Sequence, residues 1–167
     1  MPPQALPTLP NGSNVFLDAN VLIYGLSGTS QECKDLLIRC VNEEVTGVTS
    51  YQVVSEITHR LMCMEALSKG LAAHKPRETL QKDPQLVKQL SEYWTDTERV
   101  LALNLLFLVL DEQTIRAAHP ERLAHGLLNN DSIVVASMRL YGMNTLATRD
   151  EGFSGVDGIT VYSPTDV

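Results

Sequence analysis

Apolar and polar positions along the chain follow two rhythms. Short apolar runs rich in Val, Leu and Ile, each closed by polar residues, predict strands at 14–17, 45–49, 107–110, 145–147 and 159–162. Longer stretches with helical spacing predict helices at 20–26, 31–42, 51–69, 84–103, 112–118 and 131–141. Strands that alternate with helices pair in parallel, and the helices then cover both faces of the sheet. The expected fold is α/β, with three layers (α/β/α) around a central, mostly parallel sheet of about five short strands.

Two segments stand outside this rhythm. The leader "MPPQALPTLPNGSN" lacks a basic start and an apolar stretch, so residues 1–13 are expected to be a weakly ordered lead-in and not a secretion signal. The most polar interior segment, residues 70–96, holds Pro76 and Pro84 and is expected to be a helical excursion inserted into one domain spanning 14–167. At 167 residues the chain fits a single domain.

Composition narrows the function classes. Hydrophobic residues make up 44% and charged residues 20%, as in a globular protein with a substantial core. The longest apolar run, 100–110, is shorter than the ~20 residues a membrane helix needs and contains Asn104, so no membrane association is expected. Cys33, Cys40 and Cys63 form no CxxC pair and no zinc spacing, which fits reduced thiols and a cytoplasmic location. A net charge of -7 argues against a uniformly basic nucleic-acid surface. It leaves room for carboxylates that reverse their local sign when they bind a cation.

Four carboxylates fall at carboxyl ends of predicted strands or on the first turns of the helices that follow, where parallel sheets build their sites. In "NVFLDANVLIYGL" the first strand stops at Asp18, which is either a cap or a ligand. Asn20, two places on, is either a helix cap or an oxygen donor beside Asp18. Glu56 in "TSYQVVSEITHRL" lies at the margin of an apolar helix side, facing a cleft or pairing with Arg60 one turn later. Asp131 in "NNDSIVVASMRLYG" opens an apolar helix, where the helix dipole favours a negative charge. Asp150 in "LATRDEGF" follows a short strand and Thr148, whose hydroxyl could orient a carboxylate or a substrate phosphate. Carboxylates that converge repel one another unless a cation lies between them, and hard oxygen ligands select Mg²⁺ or Mn²⁺. No Ser-His-Asp or Cys-His arrangement competes, so the implied chemistry is metal-assisted attack of water on a phosphoryl group.

Taken in order, "VFLDANVLIYGL", "TSYQVVSEITHRL" and "NNDSIVVASMRLYGMNTLATRDEGF" resemble the successive motifs of the PIN domain family, from Asn14 to the closing "ITVYSP". The resemblance implies a parallel sheet flanked by helices and divalent-metal-dependent ribonuclease activity. It places the metal-site and catalytic residues at Asp18, Glu56, Asp131 and Asp150, with Asn20 and Thr148 as polar support. Many small members are VapC-type toxins, which implies a cognate antitoxin and a homodimer. The chain departs from that pattern in residues 70–96, longer and more polar than a compact toxin needs.

The expected activity is hydrolysis of RNA phosphodiester bonds with Mg²⁺ or Mn²⁺. Asp18, Asp131 and Asp150 would be ligands, and Glu56 a ligand or the group that orients water. Single-stranded or looped RNA is the expected substrate, with Arg60, Arg139 and Arg149 as candidate phosphate contacts. Two other readings compete. A phosphatase using Asp18 as nucleophile would want a second Asp where Asn20 stands, and a catalytically inactive PIN-like module would bind RNA or protein without cleaving it.

Overall fold

The computed structural model describes residues 2–167. Six strands make up its sheet: β1 (Gln4–Ala5), β2 (Asn14–Leu17), β3 (Thr46–Ser50), β4 (Leu106–Leu108), β5 (Thr145–Ala147) and β6 (Thr160–Ser163). They lie in the order β1-β6-β5-β2-β3-β4, and every neighbouring pair is parallel. The helices are α1 (Ala19–Ser27), α2 (Gln31–Val41), α3 (Tyr51–Ser68), α4 (Pro76–Lys82), α5 (Pro84–Val87), α6 (Glu92–Leu101), α7 (Glu112–His125) and α8 (Asn129–Leu140).

The chain forms two compact units, one made of the residues up to Gln52 and from Asn104 onward, the other Val53–Leu103. The first unit contains the whole sheet. In β2 the consecutive residues Val15, Phe16 and Leu17 are all fully buried. Successive strand side chains point to opposite faces, so both faces of the sheet must be covered. The path from β2 to β3 crosses the sheet in one direction and the path from β4 to β5 in the other. Right-handed crossovers in opposite directions put α1 and α2 on one face and α7 and α8 on the other. Close packing of α1 on α2 depends on Gly25, where a Cβ would stand 2.7 Å from Leu37 Cδ1 and 3.1 Å from the Cys33 carbonyl.

The second unit has its own small core, Ala66, Ala72, Leu80 and Leu90, with Met62, Leu86 and Tyr93 packed against it. At its centre Glu65 is buried, and its carboxylate accepts from Lys69 Nζ, from Ser91 N at 2.8 Å and from Tyr93 N at 2.8 Å. These last two donors are N–H groups at the start of α6, which its own N-cap residue, Ser91, leaves without a side-chain cap. Burial works to raise the Glu65 pKa, but the Lys69 and backbone bonds prevail and bring it down to about 2.

Several boundaries differ from the sequence expectation. The leader is not a loose lead-in. Gln4–Ala5 pairs with Tyr162 and Ser163, Leu6 and Leu9 are buried, and Arg39 donates to the Leu9 carbonyl and Asn11 Oδ1, both at 2.7 Å. The sheet therefore has six strands and not five. The excursion expected at 70–96 belongs to a longer unit that begins at Val53. The helix expected at 84–103 is broken into α5 and α6, because the chain turns between them to offer its N–H groups to Glu65. Helix α7 continues through Pro120 to His125, held by Ala118 packed among Ile133 and Ala136 of α8 and by Arg122 Nε donating to Ser132 Oγ at 2.9 Å.

Candidate active site

Strand order reverses between β2 and β5. From β2 the chain moves outward through β3 to β4, then returns to β5 and moves the other way to β6. A doubly wound sheet binds its ligands in the crevice outside the carboxyl ends of the two strands at such a switch point. Asp18 immediately follows β2 and Thr148 immediately follows β5, and the register that pairs Leu17 with Ala147 sets them side by side.

A continuous hydrogen-bond network joins the two strand ends. Asp18 caps α1, its Oδ1 accepting from Ala19 N at 2.7 Å. Its Oδ2 accepts from Thr148 Oγ1 at 2.7 Å and from Asn20 Nδ2 at 2.8 Å. The fully buried Thr148 hydroxyl in turn accepts from Asp150 N at 3.0 Å and from Asn20 Nδ2 at 3.2 Å. Asn20 Oδ1 accepts from Arg149 N at 2.9 Å. That bond fixes which end of the amide is oxygen, since only a carbonyl can receive a backbone N–H.

These bonds resolve the alternatives for Asn20. It is neither the helix cap, a role Asp18 fills, nor an oxygen donor beside Asp18, because it presents its amide hydrogens to the carboxylate and its oxygen to the 148–150 loop. Thr148 orients a carboxylate. Asp150 is exposed, follows Thr148 by two residues, and caps a 3₁₀ turn by accepting from Gly152 N at 2.8 Å.

The remaining candidates are placed as follows. Asp131 is half-buried in the first turn of α8, whose N-cap, Leu128, brings no side-chain cap. Glu56 lies on α3 within the second unit, 3.7 Å from Arg60 Nη1 in an i,i+4 pair. Arg149 Nε donates to the Val167 carbonyl at 2.7 Å. Arg139 does not suit phosphate contact. Its Nε lies 2.7 Å from Glu121 Oε1, its Nη2 donates to the Asp157 carbonyl at 2.9 Å, and it stands eight residues along α8 from Asp131, about 12 Å of helix.

A hard cation fits this donor set in one form. Among the described residues no three His, Cys, Asp or Glu side chains form a group that could hold a metal. Mg²⁺, however, commonly keeps most of its waters and takes only one or two carboxylates. Asp18 and Asp150, both oxygen donors joined through Thr148, suit that mode. No cysteine competes as nucleophile, since burial raises the thiol pKa of Cys33 and Cys63 and pushes Cys40 up to about 11.

Residues 15–159 match the family model of the PIN domain. The chain is 25% identical over 151 residues to Ribonuclease VapC2 of Methanocaldococcus jannaschii, covering 89% of this chain and 93% of that protein. Its fold is similar to VapBC2 of Rickettsia felis bound to a DNA fragment from its promoter, with a TM-score of 0.59, 15% identity, and coverage of 90% of this chain and 98% of that one. A toxin–antitoxin complex from Klebsiella pneumoniae is also similar, with a TM-score of 0.57, 18% identity, and coverage of 92% and 98%.

Proposed function

The chain belongs to the PIN domain family, and on that premise we propose that it is a divalent-metal-dependent ribonuclease, the toxin of a toxin–antitoxin pair. The observation that carries this reading is the bonded join of Asp18, Asn20, Thr148 and Asp150 across the switch point of the sheet. Similarity to Ribonuclease VapC2 supports hydrolysis of RNA, and the toxin–antitoxin complexes among its structural relatives support a cognate antitoxin. A cytoplasmic homodimer is part of the same proposal.

Asp18 and Asp150 are the proposed direct ligands of Mg²⁺ or Mn²⁺, and Asp131 is proposed to act on the ion through one of its bound waters. The ion, when bound, supplies an acidified water and neutralises charge building on the phosphate. The chain's own contribution is positional. Ala19 N–H holds one oxygen of Asp18, while Thr148 and Asn20 hold the other, so the carboxylate cannot rotate. Asn20 also anchors Arg149 N, which fixes the backbone that carries Asp150. Arg149 is the proposed phosphate contact.

Cleavage of a mixed-sequence single-stranded RNA by the purified chain tests the proposal. Fragments are expected with Mg²⁺ or Mn²⁺ and none with a chelator. Intact RNA under every metal condition would overturn it.

A further inference from the structure

We propose that Tyr51 and Phe107 form a nucleobase-stacking platform one to two strands from Asp18 along the carboxyl end of the sheet, a subsite for the base of a nucleotide next to the cleaved bond. The inference rests on the ribonuclease reading and specifies how the strand would be held.

Tyr51 is 51% exposed although it is a large aromatic residue at the carboxyl end of a buried strand. Its ring stacks on Phe107 of β4 with centroids 5.5 Å apart and planes 24° apart. Phe107 thus backs one face of the tyrosine, whose exposed surface is open to a ligand. A flat ring supported from behind is what an unstacked base rests on, and such stacking tolerates any sequence because every base has a π-face.

Position links the ring to the site. The β2–β3 register pairs Phe16 with Val48, which sets Asp18 level with Ser50 and Tyr51 one residue beyond. Adjacent strands lie about 5 Å apart, and β4, which carries Phe107, lies on the far side of β3 from β2, so the ring pair stands roughly 5–10 Å from Asp18 along the edge of the sheet. Thr49 Oγ1 donates to the Leu17 carbonyl at 2.9 Å and locks this spacing. The next residue supplies a polar element. Gln52 Nε2 donates to Asn130 Oδ1 at 3.2 Å, while Gln52 Oε1 is buried with no hydrogen-bond partner. An unpaired buried acceptor is costly, and the exocyclic amine of a base supplies its missing donor once the amide turns outward.

The test measures binding of labelled hexa-adenylate, and of an abasic ribose–phosphate strand of equal length, to the full chain carrying Asp18→Asn so that the strand is not cut. In that background Tyr51→Leu, which keeps an apolar packing group against Phe107, is expected to weaken hexa-adenylate binding roughly tenfold. Tyr51→Phe is expected to retain it, and both variants to bind the abasic strand as the parent does. Equal weakening toward both strands, or unchanged hexa-adenylate binding by Tyr51→Leu, would overturn the platform. Failure of the parent to bind either strand would instead overturn the ribonuclease reading, and the platform with it.

Discussion

Thr148→Val is the substitution that most cleanly isolates the network joining the two strand ends. It keeps the branched shape and removes only the hydroxyl, whose one donor and two acceptor sites are all used: Asp18 Oδ2 at 2.7 Å, Asp150 N at 3.0 Å and Asn20 Nδ2 at 3.2 Å. The bond to the Asp18 carboxylate is the largest loss, about 1.5–3 kcal/mol for a hydrogen bond to a charged group. Asp150 N–H loses its acceptor but adjoins an exposed loop where water can replace it, and Asn20 Nδ2 keeps its bond to Asp18. The expected destabilisation is therefore about 2–3 kcal/mol, read as a lower urea midpoint at unchanged slope. For a chain of this size that corresponds to a fall in Tm of roughly 5–10 °C. Thr148→Ser restores the hydroxyl and gives up one buried methyl, at about 1 kcal/mol. Cleavage activity should follow the same order, wild type above Ser above Val. A Val variant as stable as the Ser variant would mean that the hydroxyl does not hold the strand ends together.

Two further predictions concern residues away from that network. Glu65→Gln should lower the stability of the second unit, since its carboxylate holds Lys69 and the start of α6. Because the folded pKa of Glu65 is about 2, below the ordinary 4.5, this contribution is fully present above pH 4.5 and fades as the pH falls toward 2. Wild type and Glu65→Gln should thus converge in stability on acidification, and a constant gap between pH 7 and pH 2 would contradict the assignment. Arg139→Ala should lower stability by about 1–2 kcal/mol through loss of its bonds to Glu121 and the Asp157 carbonyl while leaving RNA affinity unchanged. A clear loss of RNA affinity at unchanged stability would restore its role as a phosphate contact.

Most of the sheet was legible because its strands are apolar runs cut off by polar residues, and β2 and β5 fall where the pattern placed them. β1 was hidden by its brevity and by the prolines on either side of it. Its pairing is decided by β6 and by the burial of Leu6 and Leu9, neither of which is a local signal. The expected helix at 112–118 is longer in the fold, where packing against α8 carries α7 through Pro120, a case of tertiary contact overriding propensity. At the site, Asp18, Asn20, Thr148 and Asp150 stood out because each sits just past a strand. What the pattern could not give was which end of the Asn20 amide faces Asp18, since that depends on Arg149 N, 129 positions away. Tyr51 and Gln52 went unremarked because an aromatic and an amide at a helix start carry no chemical signature until Phe107 and Asn130 are brought beside them.

On the proposed mechanism Asp18 is required for cleavage as a negative oxygen ligand and not merely as a helix cap. Asn is as good a cap as Asp, so Asp18→Asn keeps α1 capped while removing the charge. Single-turnover cleavage of a mixed-sequence RNA in Mg²⁺ or Mn²⁺, run beside thermal unfolding of the same preparation, is the direct measurement. The expected variant remains folded and cuts no RNA; a folded Asp18→Asn variant cutting at the wild-type rate would contradict the proposed role.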